Sequence, residues 1–210
     1  MANNCWNFIS IDVVKKEDFS KVEKFFADYK NNSYTSDWVK SSFLNEHLGI
    51  LGLTEDQADN PYDVSGSKWF EFNIDFMKDG DGGYITISGD SAWGPMVPLT
   101  HLLSKALGTK AEIEYYEGGC DFAGRAIFNN GEVIEDNSWK YFEGLYNIDE
   151  EYFCIQATDH LEHLAGEGMT EEEFLNEVKE TFGFVSPYEW ADFEQEAKDI
   201  YKDAKENQEV

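Results

Sequence analysis

The clearest alternation of apolar and polar positions is WFEFNIDFM, Trp69 to Met77, where Phe70, Phe72, Ile74 and Phe76 share one side of an extended chain. That is the period of a half-buried strand. The turn KDGDGG and the run YITIS extend it into a hairpin over Trp69 to Ser88. Upstream, residues 5–14 hold Trp6, Phe8 and Ile11 in a β-rich stretch, and Phe19, Val22, Phe26 and Tyr29 then recur at helical spacing between Lys16 and Lys30. A second helix is expected from Asp37 to Leu48, with Trp38, Phe43 and Leu48 inward, Ser36 as its cap and Gly49 as its stop. From Gly49 to Ser67 the chain is polar and turn-rich, with Thr54 ahead of a short helix and Asn60-Pro61 as punctuation.

Beyond Pro98 the spacing turns helical through Leu99, Leu102, Leu103 and Ala106 and stops at Gly108. AEIEYYE resumes the alternation, and RAIFNNGEVIE supplies a further hairpin around Asn129, Asn130 and Gly131. The order β-α, an inserted helix, β-β-α-β and an extra hairpin predicts an α+β fold, with helices covering one face of an antiparallel sheet. From Trp139 the pattern is helical. One helix runs from Asp149 to Ala165, with Phe153, Ala157, Leu161 and Leu164 inward and Gly166 beyond. Another starts at Thr170, where Glu173 answers Thr170 in a capping box, and a third opens with Ser186 as cap, Pro187 in the first helical position and Glu189 closing the box. The expected organisation is an α+β domain over 1–140 with an insert at 31–67, and an acidic helical appendage over 141–210.

Composition adds a core and a charge. With 210 residues, 41% apolar and 16% aromatic, the chain can bury a substantial interior. Its 43 acids against 16 lysines and arginines leave −27, more than solubility requires. Such a chain repels nucleic acid and anionic lipid and attracts basic surfaces. Residues 1–140 carry −11 and residues 141–210 carry −16, so the shorter stretch holds most of the imbalance. On the last helix the apolar face is Trp190, Phe193, Ala197, Ile200 and Tyr201, while Asp192, Glu196, Asp199, Asp203 and Glu206 run down one flank. Glu173, Glu177 and Glu180 form a similar row on the helix before it. Like-charge neighbours at this spacing cost roughly 0.2–0.5 kcal/mol each. A solvated face, partly offset by Glu194 with Lys198 and Asp199 with Lys202, accounts for the rows at its simplest. Rigid rows of anions imitating the phosphate lattice, with a basic nucleic-acid-binding surface as partner, account for the cost as well.

Candidate chemistry is sparse. Cys5, Cys120 and Cys154 are widely separated and lack C-x-x-C spacing, so neither a disulfide framework nor a zinc site is signalled, and a reducing cytoplasm fits. No basic leader precedes the first apolar run and no run is long enough to span a bilayer, so a soluble protein with no membrane partner is expected. Cys120 sits in YYEGGCDFAGRAIFNNGEV beside Gly119 and Asp121. A nucleophilic thiol needs a neighbouring base, and the adjacent carboxylate works against it unless the fold brings His101 or His47 close. The glycines have a cheaper role in permitting positive φ or a bulge where the strand bends. His160 and His163 in HLEH share a helix at metal-binding spacing, with Asp159 and Glu162 nearby, yet His160 falls on the apolar stripe. DGDG at 79–82 lacks the other ligands of a calcium loop. No phosphate-loop, dinucleotide, hydrolase-elbow or kinase signature occurs. The expectation is a non-enzymatic protein without metal or cofactor. A small metal- or thiol-dependent hydrolase using Cys120 or His160 and His163 is one alternative, and a module whose acidity serves only solubility is another.

MANNCWN, SAWGPMVPLTHLLSKALG and YYEGGCDFAGRAIFNNGEVIED resemble the Api92-like (YubB) ferredoxin-like family of phages, plasmids and other mobile elements, over strand one and about residues 69–137. In that family a segment like AWGP leads into the second helix, and an element like Phe122-Ala123-Gly124 sits where the last strands meet. The resemblance implies a ferredoxin-like sheet with two covering helices and a mobile-element setting in which counter-defence proteins are common. It supplies no catalytic residues. Family members more often have Trp directly before the N-terminal Cys, whereas here Asn4 precedes Cys5 and Trp6 follows, which places the aromatic on the other sheet face. Together these readings predict an inhibitor of a host nucleic-acid-handling or defence complex, of anti-CRISPR or anti-restriction type, that binds no nucleic acid itself.

Overall fold

The computed structural model describes residues 4–13, 17, 20, 24, 66–67, 70–79 and 82–208. The chain divides into two compact units, Met1–Ser138 and Trp139–Val210. Of the helices expected at Lys16–Lys30 and Asp37–Leu48, and of the turn-rich stretch after them, nearly all lies outside the described residues. The exceptions are Glu17, Ser20 and Lys24, which are helical and exposed, and Gly66 and Ser67.

The sheet is formed by β1 (Asn4–Val13), β2 (Phe70–Asp79), β3 (Gly82–Ala92), β4 (Lys110–Glu117), β5 (Phe122–Asn129) and β6 (Glu132–Trp139), with α1 (Val97–Leu107) between β3 and β4. The strand order is β2-β3-β1-β4-β5-β6. β1 runs antiparallel between β3 and β4, with β2 and β5 antiparallel outside them. The first four strands in that order, with a helix before β4, make the predicted α+β ferredoxin-like sheet, and β5 and β6 widen it.

Register explains the core. Ile9 lies opposite Ile87 and Ile113, and Ile11 opposite Ile85 and Ala111. All six are fully buried, together with Leu99 and Leu103 of α1. Each large aliphatic side chain so buried contributes about 1.5–3 kcal/mol relative to exposure. Phe72 and Ile74 of the alternating run pack on the same cluster, as their period predicts. Because strand side chains alternate, burying Cys5 sends Trp6 to the opposite face, where it stacks on Tyr116 at 4.7 Å and Phe8 at 6.1 Å.

The glycine-rich connection departs from expectation. β4 and β5 pair without interruption from Lys110 opposite Asn129 to Glu117 opposite Phe122, so there is no bulge and no crossing of the sheet. Gly118–Cys120 form a 3₁₀ turn whose positive φ, 54°, falls on Asp121 and not on a glycine. Gly119 N–H donates to the Glu117 carboxylate at 3.0 Å. Gly124 is required for space: a Cβ there would stand 2.2 Å from the Tyr115 hydroxyl, its neighbour across the ladder. The other hairpin behaves as read, with Asn130 and Gly131 both at positive φ, as a type I′ turn demands.

The second unit consists of α2 (Tyr141–Ile148), α3 (Glu150–Gly166), α4 (Glu171–Phe182) and α5 (Trp190–Gln208). α2 was not apparent from periodicity. α5 begins at Trp190, three residues after the predicted Pro187, because Glu189 N–H and Trp190 N–H both turn back to Ser186 O and hold 187–189 in a tight turn. No helix among the described residues is long and apolar enough to cross a membrane.

Candidate partner-binding surface

The acid rows stand on an aromatic scaffold. Phe153, Phe174 and Phe182 are buried, and the Phe182 ring lies 4.8 Å from Phe142, 5.1 Å from Phe193 and 5.9 Å from His160. Phe174 meets Tyr201 at 5.0 Å, so α4 and α5 pack through their apolar stripes. Asp149 caps α3 by accepting from Tyr152 N–H. Thr170 and Glu173 form the predicted reciprocal capping box on α4, at 3.3 and 2.9 Å.

On α5, Asp192, Glu196, Asp199, Asp203 and Glu206 are all exposed. At 3.6 residues per turn they stay within one flank over about 21 Å of axis, roughly one carboxylate per 5 Å. One strand of duplex nucleic acid carries a phosphate about every 3.4 Å. Two of the three lysines of α5 are directed away from this row, and the third reaches only its last member. Lys198 pairs with Glu194 at 2.6 Å as expected, and Lys205 lies over the Tyr201 ring at 5.2 Å. Lys202, expected beside Asp199, instead lies 3.8 Å from Glu206, and Asp199 accepts from the Gln195 amide at 3.0 Å. Among the described residues Asp192, Glu196, Asp199 and Asp203 therefore make no ion pair. The Cys154 thiol of α3 is pushed up by burial and then by the charges of Glu150 and Glu196.

The row on α4 is less uniform. Glu180 and Glu177 are exposed, with Glu177 close enough to His160 to act on it electrostatically. Glu173 is engaged in its cap, and the hydrogen bonds from Thr170 hold its carboxyl below the usual range. His160 is half-buried against Phe142 and Phe182, whereas His163 points outward to Glu167 at 3.3 Å. No group of three metal-ligating side chains occurs among the described residues.

Cys120 is exposed on its turn, before β5. His101 does not approach it. Its Nε2 donates to Gly131 O at 2.7 Å, after the far end of β5, so about 26 Å of strand separates the two. His47 lies outside the described residues.

Sequence reading missed the polar frame under the β3–α1 turn. Asn7 occupies a core position of β1, its amide donating to Cys5 O and Ser91 Oγ, both at 2.8 Å, while its carbonyl accepts from Met96 N–H at 2.9 Å. Ser91 donates on to Gly94 O and Ser67 to Ala92 O, each at 2.7 Å. The only sequence signal was an asparagine where the alternation calls for an apolar side chain. At the same end of the sheet Glu117 is buried, and its Oε2 has no hydrogen-bond partner.

Residues 71–158 match the model of the ferredoxin-like domain in Api92-like protein. That stretch of the chain is similar to the Api92-like ferredoxin domain. No curated protein and no solved structure matches it. The Api92-like match runs from β2 to the middle of α3, so the acid rows of α4 and α5 are sequence added after it.

Proposed function

We propose that the protein is a non-enzymatic, acidic binding protein of a phage or other mobile element. It occupies the basic surface of a host nucleic-acid-handling or defence complex, of anti-CRISPR or anti-restriction type, in place of nucleic acid. The observation that carries this reading is the α5 row: four exposed carboxylates, Asp192, Glu196, Asp199 and Asp203, on one flank of a rigid helix whose lysines engage other groups. Among the described residues no ion pair offsets the repulsion among these four, and a cationic partner would supply that offset. Glu206, Glu177 and Glu180 extend the negative field of this unit, and Glu173 adds charge while serving its cap.

The test is capture of host proteins on the immobilised full chain, with duplex DNA as competitor and with salt varied. Asp192→Lys, Glu196→Lys, Asp199→Lys and Asp203→Lys together are expected to abolish DNA-competable capture and flatten its salt dependence, with the circular dichroism spectrum unchanged. Capture by the reversed variant equal to wild type removes α5 from the interface.

A further inference from the structure

Among the described residues β6 ends the sheet, with β5 on one side and no strand on the other. The turn before it has two residues, Asn130 and Gly131, so Asn129 and Glu132 close the hairpin as a hydrogen-bonded pair. The alternation of the ladder then turns the N–H and C=O groups of Val133 and Glu135 away from β5. No backbone group among the described residues meets them there. Natural sheets protect such an edge with lysine, proline, a bulge or a very short strand. β6 runs for eight residues, EVIEDNSW, without lysine, arginine, proline or glycine.

The side chains of this edge say what would fit along it. Val133 is 60% exposed and Ile134 61%. Neighbours in a strand point to opposite faces, so a helix or sheet laid on either face would cover only one of the two. A strand laid along the edge flanks both. On one face Glu132, Ile134 and Asp136 read acid, apolar, acid, and on the other Val133 and Glu135 read apolar, acid. Bases of the same chain leave these acids largely unanswered: Glu135 accepts from the Asn137 amide at 2.9 Å, while Arg125 of β5 hydrogen-bonds Glu112 and senses Glu135 only through its field. A second copy fits poorly. The antiparallel register that sets Ile134 against itself sets Glu132 against Asp136 twice and Val133 against Glu135, and like charges directly opposite are destabilising.

We propose that β6 is a docking edge, which takes up an extended segment of a protein partner as a seventh, antiparallel strand. Apolar residues of that segment lie opposite Val133 and Ile134, and lysine or arginine lies opposite Glu132, Glu135 and Asp136. Main-chain bonds to the open edge supply affinity, and the alternation of apolar and basic positions supplies the choice of segment. This surface belongs to the sheet unit and does not depend on the α5 row.

The test titrates three fluorescein-labelled peptides into the full chain at physiological salt. TKKVVK answers β6 residue by residue, TKKPVK has the same charge but cannot extend as a strand, and TEEVVE has the opposite charge. The chains are wild type, Val133→Pro, the triple variant Glu132→Lys, Glu135→Lys and Asp136→Lys, and the α5 charge-reversed variant. Proline at 133 removes an outward N–H and no bond to β5. Wild type is expected to bind TKKVVK roughly five-fold or more tightly than TKKPVK, with slowed amide exchange at Val133 and Glu135. Val133→Pro should lose that preference, the triple variant should prefer TEEVVE, and the α5 variant should keep the wild-type ratio. Equal binding of TKKVVK and TKKPVK by wild type overturns the proposal, since charge alone then explains the affinity. So does unchanged exchange at Val133 and Glu135, or a preference lost in the α5 variant and kept in Val133→Pro. If circular dichroism shows Val133→Pro to be unfolded, the triple variant decides, and an unchanged preference for TKKVVK there overturns the proposal. A wild-type dimer seen by light scattering and dissociated by Val133→Pro overturns it in favour of a second copy as occupant.

Discussion

The two units place their polar atoms differently. In the first, Asn7, Ser67, Ser91, Thr100 and Ser104 are fully buried and each bonds a turn or a neighbouring strand, as in Ser104 Oγ to Thr109 O at 2.7 Å and Thr100 Oγ1 to Met96 O at 2.9 Å. In the second, no polar side chain is buried among the described residues, and phenylalanines fill the interior. The buried bonds of the sheet unit fix where turns go, at a modest net gain per bond of about 1 kcal/mol. Aromatic packing in the helical unit supplies stability without using its surface, which leaves the surface able to carry acids that the fold itself does not need. Structure in one unit is specified by hydrogen bonds, and in the other by volume.

The strongest way to break this comparison is to empty the aromatic core. Phe182 touches rings from α2, α3 and α5 and is fully buried, so Phe182→Ala should destabilise the helical unit by about 3–5 kcal/mol. Native-state amide exchange of α4 is the measurement. A loss below about 1 kcal/mol would mean that this unit does not rest on its aromatic volume.

Somewhat smaller is the effect of removing the polar frame of the sheet unit. Asn7→Leu keeps roughly the volume but strands Met96 N–H, worth about 1–3 kcal/mol when left unpaired in the interior, and leaves Cys5 O only the longer bond from the Ser91 hydroxyl at 3.4 Å. A net loss of about 2–3 kcal/mol in urea unfolding is expected, together with faster exchange of the Met96 amide. A neutral Asn7→Leu would show that the turn is held by packing alone and that the contrast between the units is one of composition only.

These differences track what could be read in advance. The alternation placed Phe72 and Ile74 on the core face correctly, because a period of two with one buried side admits a single register. The capping box at Thr170 and the Asn130-Gly131 turn were legible because each depends on local chemistry within a few residues. Asn7 was not, since its partners Ser91 and Met96 lie more than eighty residues away, and nothing local distinguishes a core asparagine from a surface one. The role of Gly124 was hidden for the same reason: it makes room for a tyrosine of the neighbouring strand. On the candidate surface, the spacing of the α5 acids was visible from the sequence. The pairing of Lys202 with Glu206 and not with Asp199 was not, because both reaches are open to a lysine on a helix.

The smallest effect expected is a pH dependence confined to the helical unit. His160 is half-buried, and burial, then the neighbouring His163, hold its pKa below the ordinary histidine value, although Glu177 and Glu167 pull the other way. In the unfolded chain the ring takes its proton near pH ~6.5. A folded pKa below the unfolded one means that the folded state favours the neutral ring. Its contribution is complete above about pH 6.5 and is lost as pH falls from there through the lower folded value. Exchange of the α3 and α4 amides should therefore speed up between pH 7 and 5.5 by more than intrinsic chemistry predicts. His160→Phe, which keeps an aromatic ring against Phe142 and Phe182, should remove that excess. The surface carboxylates titrate in both proteins, so the difference between the two slopes isolates the histidine. Identical slopes would mean that the ring is hydrated enough to charge in place, and that the interior of this unit is less dry than its phenylalanines imply.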